Sequence, residues 1–204
     1  MKMSHMKTVP VLQLSEPNRA ALRRHFLALT PDDLRLRFEH VICEDSLLKY
    51  VDAIDFDSDA VFGVFDDNLE LAGVTHLGLR GDVAEFGVSV VPGHRGEGIG
   101  SALFRRSLEY ARNHAIQTLF MHCLKENEAM MHIARKAGME IVLDSAEAEG
   151  HLKVPPASAG SLTRELFGER VGLFDLALKS QFLAARTIAE AMTEAADRIA
   201  HPAD

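Results

Sequence analysis

The chain has 204 residues, 47% hydrophobic and 25% charged, the balance of a soluble globular protein and far from the disordered range. No apolar run approaches the roughly 18 to 20 residues that a bilayer-crossing helix needs, which excludes a membrane span. Twenty-two basic residues against 30 acidic ones give a net charge of −8, which argues against nucleic acid as the main partner because that binding needs a clustered positive footprint.

The two cysteines, Cys43 and Cys123, cannot build a disulfide framework, and no secretory signal with an apolar core opens the chain, so a cytoplasmic location is expected. Three methionines fall within Met1–Met6, the mark of an added or ambiguous start, and residues 1–7 are set aside from the fold argument.

In chain order, Val9 to Leu14 is an apolar stretch that suits an edge strand, and Ser15 with Pro17 offers a helix start. Asn18 to Leu29 carries Ala21, Leu22, Leu27 and Ala28 at helical spacing. Thr30-Pro31-Asp32-Asp33 combines a capping hydroxyl, a proline in the first turn and acids at the positive helix end, so a second short helix should run through Leu34, Leu36 and Phe38. A third is expected over Leu47 to Val51. From Asp59 the texture turns to β: Ala60–Phe65 and Leu69–Leu79 flank the turn signal Asp66-Asp67-Asn68, and Val83–Val91 follows Arg80-Gly81-Asp82. Three antiparallel strands in a meander result. A helix with Ile99, Leu103, Leu108, Ala111 and Ala115 on one face comes next. After it the pattern predicts a strand over Gln117–Leu124, a helix over Asn127–Ala137, and a closing hairpin from Met139–Leu143 and Leu152–Val154. Pro155 to Gly160 reads as a linker, and Leu173 to His201, free of Gly and Pro, suits a helix of about 42 Å at about 1.5 Å per residue. This order of elements predicts an α/β or α+β sandwich.

The chemistry concentrates in Val90-Val91-Pro92-Gly93-His94-Arg95-Gly96-Glu97-Gly98-Ile99-Gly100-Ser101, which joins a strand to the start of a long helix. Glycines at 96, 98 and 100 let backbone approach a ligand where Cβ atoms would collide, and the free N–H groups of a first helical turn attract a phosphate. No Gly-Lys-Ser/Thr ending is present, so this is not the mononucleotide P-loop. The dinucleotide pattern fails as well, because Ser101 stands at its third glycine and the preceding strands form a meander.

Arg95-x-x-Gly98-x-Gly100 after a strand ending Val-x-Pro resembles the acetyl-CoA signature of the GNAT superfamily of N-acetyltransferases. Asn127, Met130, Ala134 and Gly138-Met139 follow the spacing of that family's second CoA-side helix and next strand. Leu29-Thr30-Pro31 with Leu34 to Phe38 looks like the opening helices of its bacterial protein-lysine acetyltransferase branch. The resemblance spans roughly residues 8 to 155 and implies a mixed central sheet flanked by helices, an N-acetyltransferase domain over 8–155, and a linker with a C-terminal helical extension over 156–204. It also implies that backbone around Val90 and Val91 holds the pantetheine arm and polarises the thioester, that amides from Arg95 through Gly96, Gly98 and Gly100 to Ser101 wrap the pyrophosphate, and that Asn127 bonds to the CoA arm. The acceptor is then an amine, on a protein lysine or a small molecule, attacking acetyl-CoA directly in a ternary complex.

An amine at neutral pH is mostly ammonium and must lose a proton before attack. Glu85 is the candidate base: it shares a strand face with Gly87, Ser89 and Val91, and a carboxylate ten residues before Arg95 matches the glutamate of the protein-acetyltransferase branch. The tyrosine with which the family often protonates the departing thiolate is replaced by Ala134, so no acid is assigned. Cys123 reads as core, and neither His122 with Cys123 and His132 nor His40 with Cys43 has a recognised ligand spacing, so no metal is expected. Leu178, Phe182, Ala185, Ala189, Met192, Ala196 and Ile199 step by four and three, a heptad stripe that suits either a homodimer or packing on the chain's own domain. Two other functions stay open: a CoA-binding regulatory module without turnover, and an interaction protein centred on the C-terminal helix.

Overall fold

The computed structural model describes residues 9–200, with side chains described through residue 194. Met1 to Lys7 and His201, as well as the side chains of Ala196 and Ile199, lie outside the described residues.

A seven-stranded sheet runs in the order β1-β2-β3-β4-β5-β7-β6. Its strands are β1 (Leu12–Gln13), β2 (Ala60–Phe65), β3 (Leu71–Arg80), β4 (Val83–Val90), β5 (Thr118–Leu124), β6 (Glu140–Asp144) and β7 (Glu147–Lys153). β2, β3 and β4 form the expected antiparallel meander, and β4 and β5 are parallel. Alternation along β2 feeds two apolar layers. Ala60, Phe62 and Val64 pack with Ile99, Leu103 and Ile133 on one side of the sheet. Val61 and Phe65 pack with Leu22, Phe26, Leu47 and Val51 on the other. The first layer is covered by α4 (Ile99–Asn113) and α5 (Glu128–Ala137), the second by α1 (Arg19–Leu27), α2 (Pro31–Phe38) and α3 (Glu44–Ala53). The mixed sheet flanked by helices is the architecture the sequence implied.

Several boundaries differ from expectation for local reasons. β1 is only two residues long because its pairing with Gly63 and Phe62 is confined to Leu12 and Gln13. α3 opens at Glu44 rather than Leu47, its first turn carrying Glu44 and Asp45 at the positive end of the helix. α4 stops at Asn113, and Ala115 sits at φ 58° in the turn that follows. β7 starts at Glu147, five residues before Leu152, since a short turn through Ser145 and Ala146 joins it directly to β6. Its alternate residues Glu147 and Glu149 are exposed, which hid the strand from an apolar-run reading.

The largest correction is at the C-terminus. Ala159 and Gly160, read as linker, already belong to α6 (Ala159–Ala200), a 42-residue helix about 63 Å long at about 1.5 Å per residue. α6 docks on its own domain. The buried Arg106 of α4 pairs with Glu165 at 2.8 Å and Glu169 at 3.2 Å and lies 4.6 Å over the Phe62 ring. Gly172 lets the helix close on β1, since a Cβ there would lie 2.8 Å from the Val11 carbonyl oxygen. Further on, Lys179 Nζ donates to the Phe65 carbonyl at 2.7 Å and Arg186 to Asn68 Oδ1 at 2.9 Å. The edge of the sheet at β1 is thereby covered. The opposite face of α6 is left open: Leu166, Phe167, Phe174, Phe182, Ile188 and Met192 are each more than half exposed, and Leu178, Ala185 and Ala189 of the heptad stripe are exposed as well. Among the described residues, no helix is long and apolar enough to cross a membrane.

Candidate active site

The glycine-rich segment leaves β4 at Val90, makes a short 3-10 turn over Pro92–His94, and enters α4 at Ile99. Gly96 and Gly98 adopt φ of 79° and 82°, the left-handed region that a side chain would strain. The first helical bond runs from Ala102 N–H to the Gly98 carbonyl at 3.0 Å. The amides of Ile99, Gly100 and Ser101 precede it and form a donor cluster at the positive end of a 15-residue helix. Gly100 also seats the turn against α5, as a Cβ there would lie 3.2 Å from Ile133 Cδ1.

Beside this loop the sheet opens. β4 and β5 pair only as Val83↔Thr118, Ala84↔Leu119 and Glu85↔Phe120. Beyond that point β4 continues to Val90 and β5 to Leu124 without bonding to one another, leaving a V-shaped slot with unpaired backbone groups along both walls. Val91 N–H turns the other way and donates to Ala72 C=O at 2.9 Å, so by strand alternation the Val90 N–H faces the slot. α2 spans the slot and is fastened at both ends. Asp33 pairs with Arg95 of the loop, Arg35 Nη1 meets Glu126 at 2.5 Å, and Asn127 Nδ2 donates to the Leu36 carbonyl at 3.2 Å. The Asn127 side-chain oxygen at the same time caps α5 by accepting from Met130 N–H at 3.0 Å.

At the closed end of the V lies a cleft of about 420 Å³, whose floor is β3 and β4 and whose walls are α2, α3 and β5. Glu85 stands at the last β4–β5 pair, opposite Gly78 of β3, where no atom lies within 4 Å of a built Cβ. The Glu85 carboxylate is exposed to the cleft, with no hydrogen bond or ion pair among the described residues. The next residue on this face, Gly87, lies under the Arg37 guanidinium, and a Cβ at 87 would fall 2.1 Å from Arg37 Nη2. Tyr50, His76 and Asp59 line the same cleft in series. His76 Nδ1 meets Tyr50 Oη at 2.8 Å, and His76 Nε2 meets Asp59 Oδ2 at 2.9 Å. Burial lowers the His76 pKa below the ordinary imidazole value, against the opposing pull of the Asp59 hydrogen bond.

On the same β4 face, Ser89 Oγ lies 2.8 Å from His25 Nε2, and His25 Nδ1 lies 2.7 Å from the Leu71 carbonyl. A carbonyl only accepts, so Nδ1 carries the proton and Nε2 accepts from the serine. His25 is therefore a buried, neutral imidazole, its pKa pulled by burial down to about 4. Cys123 points into the apolar core, and burial pushes its thiol up to about 11, which removes it as a nucleophile. Glu39, His122 and Glu147 place ligand-type atoms within 4.8 Å of one another. The imidazole bridges them, Nδ1 at 2.6 Å from Glu39 and Nε2 at 3.3 Å from Glu147, and the two nitrogens lie on opposite edges of the ring.

The structure thus gathers the loop residues Arg95 to Ser101, the strand end at Val90 and Val91, and Asn127 around one slot that ends at Glu85. Sequence reasoning missed Arg37, Tyr50, His76 and Asp59, which lie on α2, α3, β3 and the approach to β2. Gly87 on the cleft face was the available signal: it marks where a side chain from another element, Arg37, needs room.

A family profile described as "Acetyltransferase (GNAT) family" matches residues 26–139, and the chain belongs to that family. A 64-residue stretch is 36% identical to streptothricin acetyltransferase of Streptomyces lavendulae, covering 31% of this chain and 34% of that protein. The match therefore spans about a third of the relative's length. Among solved structures, the GNAT domain of S. lividans PAT gives a TM-score of 0.61 at 16% identity, over 70% of this chain and 89% of that one. A spermidine N-acetyltransferase from Vibrio cholerae, solved in complex with CoA and spermine, gives 0.56 at 18% identity, over 71% and 94%. These structural likenesses are ones of fold.

The neutral His25 makes stability depend on pH. Between the ordinary imidazole value of 6.5 and about 4, the unfolded chain binds a proton at this position that the folded chain refuses. Stability is full above that window and falls as pH drops through it, by up to about 3 kcal/mol for this group alone. Urea melts at about pH 7 and about pH 4.5 should show that loss, and His25→Gln should show a clearly smaller one; equal losses in the two proteins contradict the assignment.

Proposed function

We propose that the chain is an acetyl-CoA-dependent N-acetyltransferase acting by direct attack in a ternary complex. The observation that carries this reading is the continuity of three features: a glycine-rich donor cluster at the start of α4, a slot where β4 and β5 part, and a cleft whose unpaired carboxylate, Glu85, stands at the apex of that slot. The amides following Arg95 and Gly96, at Gly98, Gly100 and Ser101, hold the diphosphate. The pantetheine arm lies in the slot along Val90 and Val91 as an added strand, and Asn127, at the slot's edge, bonds to the arm. CoA bound to a neighbour of the same fold supports this donor.

In the reaction the acceptor nitrogen gives its proton to Glu85, and its lone pair attacks the thioester carbonyl carbon. The resulting oxyanion is held by the slot-facing backbone N–H at Val90. The C–S bond then breaks, and CoA leaves as a thiolate, whose thiol parent has a pKa near 8.5, low enough to depart without a dedicated acid, while the new amide nitrogen sheds its second proton to that thiolate or to water. The acceptor is an amine, on a protein lysine or a small molecule. Glu85→Gln should lower turnover by roughly 10²- to 10⁴-fold, measured as free thiol released from acetyl-CoA, with donor affinity nearly unchanged. The defect should shrink as pH rises and more acceptor arrives neutral. A pH-independent loss below about tenfold would reduce Glu85 to a surface carboxylate, and donor binding without thiol release over a broad amine panel would favour a regulatory CoA-binding module.

The open face of α6 supports a homodimer, because a wet stripe of Phe167, Phe174, Phe182 and Met192 favours burial against a second copy. Light scattering should give a dimer for the full chain, and a monomer for Phe174→Glu with Phe182→Glu, substitutions at exposed positions that leave the docked face intact. A monomeric wild type, or a dimer that survives both substitutions, contradicts this.

A further inference from the structure

Among the side chains of the cleft, Arg37 stands apart. Its guanidinium is half-buried, and it makes no ion pair with any described residue. Its one hydrogen bond among the described residues is from Nη2 to Tyr50 Oη at 3.3 Å, and it lies 5.2 Å from the Phe38 ring. A guanidinium has five donors, and most of those of Arg37 have no acceptor among the described residues. The neighbouring Arg35 and Arg95, by contrast, are both matched to carboxylates.

The surroundings hold this cation in place. Asp59 accepts from His76 Nε2 at 2.9 Å and from Leu79 N–H at 3.1 Å, which fixes the imidazole tautomer. His76 Nδ1 is then an acceptor for the Tyr50 hydroxyl at 2.8 Å. With its proton committed to His76, the Tyr50 oxygen offers a lone pair to Arg37. Every donor in this series points one way, from Arg37 towards Asp59. Gly87 supplies the seat, since any side chain there would displace the guanidinium.

Three charges unmatched among the described residues thus line one cleft: the exposed Arg80 at the end of β3, and two on the β4 face, Arg37 above Gly87 and Glu85 two residues earlier, about 6.6 Å along the backbone at about 3.3 Å per residue. They are not paired with one another. We propose that Arg37 receives an anionic group of the acceptor while Glu85 receives its ammonium, so that the acceptor is a zwitterion: a free amino acid or a close derivative with its carboxylate a few ångström from the amine. A guanidinium matches a carboxylate by two parallel hydrogen bonds, which a point charge does not. This inference rests on reading the cleft as the acceptor site of an acetyltransferase.

The test compares matched acceptors with wild-type protein: each free amino acid against its own amide and its decarboxylated amine, read as thiol release at saturating acetyl-CoA. The best amino acid should exceed its amide at least about tenfold in kcat/KM. Arg37→Gln should raise KM for the acid roughly 10- to 100-fold, the range for losing a charged hydrogen-bonded pair, with the amide nearly unaffected. Arg37→Lys should retain part of the preference, and Gly87→Ala should weaken it by moving the guanidinium. Acetyl-CoA affinity by calorimetry should be unchanged in all three. Equal use of acid and amide by wild type, equal loss on both in Arg37→Gln, or weakened donor binding overturns the assignment. If no amine yields thiol, the acetyl-transfer reading fails. Titration of amino acids into CoA-saturated protein then separates the two claims: binding lost in Arg37→Gln upholds the zwitterion site, and no binding to wild type overturns it.

Discussion

The early end of the β4–β5 ladder is the constraint on which the rest depends. Two parallel strands that stop pairing at Glu85 and Phe120 leave backbone donors and acceptors open inside a protein, where unpaired polar groups are costly. The fold tolerates this because the slot is bounded: β3 and β7 complete the outer edges of the two strands, α4 starts at its mouth, and α2 lies across it. A ligand that adds a strand satisfies those groups. The same divergence brings the loop, the slot and the cleft into one line.

Small residues then decide what occupies each part of that line. Gly96 and Gly98 supply the left-handed backbone angles of the loop that leads into α4, while Gly78 and Gly87 clear the cleft floor. The α2 contacts add a coupling. Arg95 is paired with Asp33, so an anion arriving at the loop competes for a residue that also fastens the helix over the slot. α6 contributes at a distance, by neutralising the buried Arg106 of α4 and covering the edge strand.

Most of the fold was legible in the sequence because its signals are local. Thr30-Pro31 marked a helix start and Thr30 does cap it, accepting from Asp33 N–H. Alternation along β4 correctly put Glu85, Gly87 and Ser89 on one face. The donor loop was legible for the same reason, since its glycines and the helix it opens are contiguous. The cleft was not. Asp59, His76, Tyr50 and Arg37 belong to four separate stretches of chain, and only strand register, His76 opposite Gly87, brings them together. β7 was misjudged because its exposed glutamates break the apolar run, and α6 because Ala159 and Gly160 look like linker and Gly168 and Gly172 interrupt the run, so that a helix was expected only from Leu173.

The account stands or falls on a diphosphate at the start of α4. Ser101→Asp puts a carboxylate in that first turn, where it favours the helix and therefore leaves the protein folded, yet opposes a bound anion. Titration calorimetry with acetyl-CoA should show one saturable site in the wild type and binding weakened beyond about tenfold in the variant, at equal melting temperature. Equal affinity in the two proteins, or no binding to the wild type, contradicts the site described.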